Sequence, residues 1–255
     1  MSCLSYINDY GSDSTNSDSE TEQHLYKRVK LPVPDLSRVR IVLTEETHID
    51  DHQKHKGRKR SFPHVRGNWA TFVYVQYPND DFVNKLSRKV LDALTESSHT
   101  WHKCENLHIT LSKTVVLNYH WIAPFHNSLK KTLTNIKCFE LEFDELQVLY
   151  NEDKSRTFVV LKINRFSHKH FFAITKKVDE ILSEFKLPKF YDEPSFHMSI
   201  LWTNGDKETE TNGALDKLNQ ILTPDFQESA KNIFIDKVYC KSGNKTFQYH
   251  LPSDR

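Results

Sequence analysis

The amino-acid sequence predicts an α+β fold of two related lobes, and three observations predict it. Apolar and polar residues alternate in several short segments, as half-buried strands require, while between those segments apolar residues recur at three- and four-residue steps, as one helix face requires. A strand-helix-strand order occurs twice at nearly one size: His108 lies 39 residues after Trp69 in one unit, and His197 lies 41 after Arg156 in the other. Each unit ends on a strand with a histidine on its polar face.

In the first unit, Trp69 to Tyr77 is rich in aromatic and β-branched residues and closes at Pro78-Asn79-Asp80, the pattern of a strand ended by a turn. Asp80 or Asp81 then caps a helix whose apolar positions are Phe82, Leu86, Val90 and Leu94, and Leu107 to Ser112 alternates as a half-buried strand. Between the units, Tyr119 and His120 lead into a helix with apolar positions Trp121, Phe125, Leu129 and Leu133, which tolerates Pro124 only in its first turn. A strand pair is expected within residues 138–150. The second unit opens with a strand from Arg156 to Ile163. Its helix carries Phe171, Ile174, Val178, Ile181 and Phe185 as one stripe, Pro188 stops it, and the strand Phe196 to Trp202 follows. Ile233 to Cys240 and Lys245 to Leu251 read as a hairpin around Ser242-Gly243-Asn244.

Composition separates a tail from this folded part. Residues 1–20 hold six serines and four acidic residues but no Lys or Arg, too little apolar surface to offset the entropy of ordering. We expect a disordered segment over residues 1–66 and the folded domain over 67–255. The net charge of +1 gives no global pull toward nucleic acid, but basic blocks occur at Lys27 to Lys30 and Lys54 to Arg60. Such blocks serve as import signals, RNA-phosphate contacts or solvated linker, and the sequence leaves all three open. There is no apolar run of 18 residues and no signal-peptide pattern at the amino terminus, so the expectation is a soluble intracellular protein without a membrane span. Cys3, Cys104, Cys138 and Cys240 are widely spaced with no C-x-x-C, which argues against a zinc knuckle or disulfide framework.

The candidate chemistry lies in His108-Ile109-Thr110 and His197-Met198-Ser199. As a string, His-x-Ser/Thr means little: 14 histidines in this composition yield about two chance matches. A third match, His126-Asn127-Ser128, falls in a helix, where residues two apart diverge, and is read as a surface or capping histidine. On a strand, residues i and i+2 share a face, so each histidine and its hydroxyl can grip one group together. Two such grips in equivalent units suit phosphodiester cleavage by internal attack. One imidazole takes the 2′-hydroxyl proton and the other protonates the departing 5′-oxygen, since an ordinary pKa of about 6.5 lets both forms coexist near neutrality. Thr110 and Ser199 would hold the non-bridging oxygens. Spacing does not reveal which histidine is acid and which is base.

These residues make the chain resemble the two-histidine phosphoesterase superfamily and, within it, the U6 small nuclear RNA 3′-end phosphodiesterases. The resemblance rests on LHITLSKT at 107–114, NEDKSRTF at 151–158 and YDEPSFHMSILW at 191–202, and it spans residue 67 to the end. It implies pseudo-symmetric lobes, each an antiparallel sheet with flanking helices, with the active-site cleft between them. It implies a nuclear, monomeric 3′-to-5′ exoribonuclease without metal or other cofactor. Such an enzyme trims uridines or adenosines from a single-stranded RNA 3′ end and leaves a 2′,3′-cyclic phosphate or a product opened from it. By the same resemblance His108 and His197 are acid and base, with Thr110 and Ser199 on the phosphate. Tyr191 takes the base-stacking position, and Glu193, Pro194, Ser195, Phe196 and Met198 contact the nucleotide. Glu152 stands where relatives present an amide to the base. From sequence alone Tyr191 equally fits burial beside Phe190.

Two rival activities share these residues: hydrolysis of a preformed 2′,3′-cyclic phosphate, and RNA binding without catalysis. A metal hydrolase is the weakest alternative, because His102 with His108 and His168 with His170 join no other ligand types at a metal-site spacing. His102, His168 and His170 are read as surface or helix-cap residues.

Overall fold

The computed structural model describes residues 65–77, 81–94, 99–222 and 233–253. All of them belong to the second of two units, which divide between Thr47 and His48. The acidic tail, both basic blocks, Cys3 and the turn Pro78-Asn79-Asp80 lie outside the described residues.

The first lobe begins with β1 (Asn68–Gln76), α1 (Asp81–Ala93), β2 (His102–Lys103), β3 (His108–Thr110) and β4 (Val115–Asn118), and α2 (Tyr119–Leu133) follows. Next come β5 (Phe139–Leu141), β6 (Phe143–Tyr150), β7 (Arg156–Ile163), α3 (Arg165–Glu184) and β8 (His197–Asn204). The chain ends with α4 (Glu208–Asn212), α5 (Leu215–Gln220), β9 (Ile233–Ile235), β10 (Lys237–Ser242) and β11 (Lys245–His250). The principal sheet runs β11-β10-β1-β3-β8-β7-β6, with β4 also paired to β1 and β2 also paired to β8. The order β1-β3 and β8-β7 is a palindrome about the β3-β8 contact, so two antiparallel lobes meet along the strands that carry the two motifs.

Burial follows the periods read from the sequence. On β1, Val73 and Val75 enter the core while Phe72 and Tyr74 stay half-exposed on the other face. On α3, Phe171, Ile174, Val178 and Ile181 form the buried stripe. Its start is fixed by Asn164, whose side-chain oxygen accepts the Ser167 N–H at 2.8 Å and satisfies one of the helix's orphan donors. On α1 the buried positions include Val83, while Phe82 packs at the core margin.

Four expectations change. Residues 138–150 do not pair with one another: β5 pairs with β9 in a separate two-stranded sheet, and β6 pairs with β7. Ile233 to Ile235 therefore leaves the terminal hairpin, which is β10 and β11 alone. Pro124 is not in the first turn, because α2 starts at Tyr119; the His120 carbonyl forgoes its helical hydrogen bond in exchange. Finally, β2, β4, α4 and α5 have no counterpart in the sequence reading.

The β10-β11 turn shows what a single residue must supply. Gly243 has φ +58°, and its missing side chain leaves room for the Trp69 indole, against which any Cβ would collide. Its N–H also donates to the Ala70 carbonyl at 2.8 Å, tying the turn to β1. Gly243→Ala is expected to destabilise the fold by about 1–3 kcal/mol through strain and overpacking, read as a lower urea midpoint.

Candidate active site

At the seam between the lobes Ile109 lies directly opposite Met198, and both are fully buried. In an antiparallel pair, one step either way along each strand sets His108 across from Ser199 and Thr110 across from His197. All four side chains then stand on the face opposite Ile109 and Met198, with directly opposed Cβ atoms about 4.5–5.5 Å apart. Each histidine thus has a hydroxyl two residues along its own strand and the other motif's hydroxyl across the seam.

The two imidazoles are anchored alike. His108 Nδ1 lies 2.6 Å from the Asn106 carbonyl, and His197 Nδ1 lies 2.6 Å from the Ser195 carbonyl, in both cases two residues upstream. A carbonyl only accepts, so Nδ1 carries a proton in both rings and Nε2 is left for chemistry. The His108 ring also meets the Tyr74 edge at 5.6 Å and the Phe72 ring at 6.0 Å. Burial pushes the His197 pKa below the ordinary 6.5; the Ser195 carbonyl opposes this, and the charge on His108 adds to the depression. A histidine NMR titration is therefore expected to place the His197 midpoint below 6.5, with His197 neutral above it. His108→Gln should move that midpoint upward; a midpoint that stays put would disprove the coupling.

On the second lobe, Lys162 lies opposite His197 and Val160 opposite Ser199. The pairing register slips between Val159 and Val160, a bulge next to Ser199. The slip explains why Ile200 and Leu201, though adjacent, are both fully buried. Lys162 Nζ reaches Glu145 at 3.4 Å. Beside this strand end lies a cavity of about 410 Å³, whose lining includes Lys162, His168, Phe172, Glu193, Pro194 and Ser195.

The remaining residues expected at the site separate into two groups. Tyr191 is 46% exposed, which excludes burial, although its ring still packs edge-on against Phe190 at 4.9 Å. Its hydroxyl donates to Glu152 Oε1 at 2.7 Å, while Lys113 Nζ stands 3.3 Å from the same oxygen and 4.3 Å above the tyrosine ring. Those two donors hold the Glu152 carboxyl below its usual range, and burial with the nearby carboxylate pushes the Tyr191 phenol up to about 12. By contrast, Phe196 is 2% exposed and Met198 is fully buried at the seam. The Met198 side chain is turned away from the two histidines and packs in the core.

The other histidines are more integrated than the sequence reading allowed. His126 is neither a surface nor a capping residue: Nδ1 shares a 2.9 Å hydrogen bond with the Tyr249 hydroxyl, and the ring stacks on Phe247 at 4.3 Å. His102 lies on β2 against Trp202 at 4.6 Å, and His170 stacks nearly parallel on Phe139 at 4.8 Å. His168 Nε2 meets the Pro194 carbonyl at 3.1 Å and so braces the loop before His197. Lys113, Lys162, Phe72 and Tyr74 were missed as site neighbours. The signal for Phe72 and Tyr74 was present in the alternation Trp69, Thr71, Val73 against Phe72 and Tyr74 on β1.

Paired lobes that meet on two His-x-Ser/Thr strands define a two-histidine phosphoesterase fold. Kluyveromyces marxianus Usb1 shares that fold with a TM-score of 0.53 at 14% identity, over 72% of this chain and 98% of that one. The same protein with uridine monophosphate aligns with a TM-score of 0.55 at 13% identity. The family model HVSL, described as an uncharacterised conserved protein, matches residues 31–250. The chain is 38% identical to U6 snRNA phosphodiesterase 1 of Bos taurus over 229 residues, covering 87% of this chain and 84% of that protein. It is 36% identical to the Homo sapiens protein of that name over 231 residues, covering 88% and 85%. The chain belongs to this U6 snRNA phosphodiesterase family.

Proposed function

We propose that this protein is a metal-independent 3′-to-5′ exoribonuclease that trims terminal uridines or adenosines from U6 small nuclear RNA. The observation that carries the reading is the interleaved set His108, Thr110, His197 and Ser199, with both imidazoles anchored through Nδ1. One Nε2 removes the proton from the penultimate 2′-hydroxyl. The 2′-oxygen then bonds to phosphorus as the bond to the terminal 5′-oxygen breaks, and the other imidazole delivers a proton to that leaving oxygen. Thr110 and Ser199 donate to the non-bridging oxygens, where negative charge builds. The product retains a 2′,3′-cyclic phosphate or the monoester opened from it.

The relatives' name supports the RNA, and the exposed Tyr191 ring supports stacking on a base of the substrate. The enzyme is read as a monomer acting in the nucleus. Incubation with a linear oligouridine in EDTA, followed by end-group analysis, is expected to give stepwise shortening and cyclic ends. Opening of a preformed cyclic end without shortening would leave only the RNA-repair reading.

A further inference from the structure

Aromatic side chains continue from the site across the first lobe: Phe72 and Tyr74 border the His108 ring, and Tyr239 extends the set away from it. One row crosses four strands in register: Thr110 on β3, Tyr74 on β1, Tyr239 on β10 and Gln248 on β11. In the next row, Phe72 lies opposite Lys241, and Lys241 opposite Thr246. Residues directly opposed in a sheet share a face, so these side chains form one surface that continues from Thr110. The Phe72 and Tyr74 rings stack at 5.0 Å, and those of Tyr74 and Tyr239 at 5.6 Å. All three are half-exposed, whereas their neighbours Val73, Val75, Val238 and Cys240 fill the core from the other face.

Half-exposed, mutually stacked rings next to a lysine are the chemistry of a platform for single-stranded nucleic acid. Bases stack on the rings while ammonium groups meet the phosphates. Lys241 is exposed on this face, and Lys237 on the same strand reaches Asp236 at 3.6 Å. Gln248 and Thr246 extend the surface with exposed polar groups. At about 4.8 Å per strand, the row runs roughly 10 Å from Thr110 to Tyr239 and about 14 Å to Gln248. Such a path goes beyond the nucleotides that meet the catalytic groups. It runs from β3 toward β11, whereas the cavity of about 410 Å³ lies on the β7 side of the two histidines, so a bound strand meets the row and the cavity on opposite sides of the seam.

We propose that the face formed by Tyr74, Tyr239, Phe72 and Lys241 binds the single-stranded RNA on the 5′ side of the scissile bond, so that the enzyme holds its substrate over several nucleotides. This rests on the exoribonuclease reading and adds a substrate-length preference to it. Tyr239 and Lys241 test it, because neither contacts the histidines. The full chain carrying Tyr239→Leu or Lys241→Glu is compared with wild type on the dinucleotide UpU and on a ten-residue oligouridine. Each variant is expected to lose about 5-fold or more in kcat/KM on the longer substrate, chiefly through KM, and nothing on UpU, with an unchanged melting temperature. The Lys241→Glu loss should shrink as salt is raised. If wild type shortens both substrates and the variants slow both equally, or neither, the strand path is wrong while the exoribonuclease reading stands. If wild type shortens neither, the exoribonuclease reading falls and takes the path with it.

Discussion

Replacing His197 with Ala is expected to lower kcat on oligouridine by about 10²- to 10⁴-fold, the range that positioned proton transfer supplies. The half-buried ring is anchored by the hydrogen bond from Nδ1 to the Ser195 carbonyl, and the fully packed side chains beside it are Met198 and Phe196. The fold should therefore survive, and KM should change little, because Tyr191, Lys162 and the two hydroxyls remain. His108→Ala should behave alike despite its different surroundings of Phe72 and Tyr74. In the proposed reaction the two imidazoles serve one transition state, so the double variant should lose far less than the product of the two single losses. Binding of a non-cleavable oligodeoxyuridine by both single variants separates this from a folding defect. Unchanged kcat in either variant would remove that histidine from the chemistry. A protein that bound RNA without cutting it would give no rate to lose.

The parts of this fold that depend on neighbours in sequence were legible, and those that depend on distant partners were not. His108 and Thr110, or His197 and Ser199, share a face for a reason internal to each strand, so the period of two reveals them. That His108 meets Ser199 across the seam depends on pairing residues far apart in the chain, and no local pattern encodes that register. The same limit explains β5, whose partner is β9 and not the adjacent β6. It also explains His126, His168 and His170, which look like surface polar residues until Tyr249, Pro194 and Phe139 are brought beside them. Pro124 misled for another reason. Proline favours a first turn, but packing of Ile122, Phe125, Leu129 and Leu133 sustains α2 through the missing hydrogen bond.

The sharpest expected result concerns the substrate: an oligouridine lacking only the penultimate 2′-hydroxyl should bind and not be shortened at all. The interleaved histidines and hydroxyls are placed to move protons and hold a phosphate, and in the proposed reaction the nucleophile comes from the substrate. The penultimate 2′-oxygen is already tethered beside the phosphorus of the terminal bond, and such intramolecular attack can be worth an effective concentration of about 10⁵–10⁸ M. Removing that oxygen removes the reaction while leaving the bases, the other phosphates and their contacts intact. Removing the terminal 2′-hydroxyl instead should leave cleavage intact, because that group lies on the departing nucleoside. The paired substrates therefore test mechanism at constant binding. A water molecule activated by one imidazole would cut both oligomers alike and leave an open phosphate. Only attack from within the substrate makes one missing atom decisive at one position and irrelevant at the next.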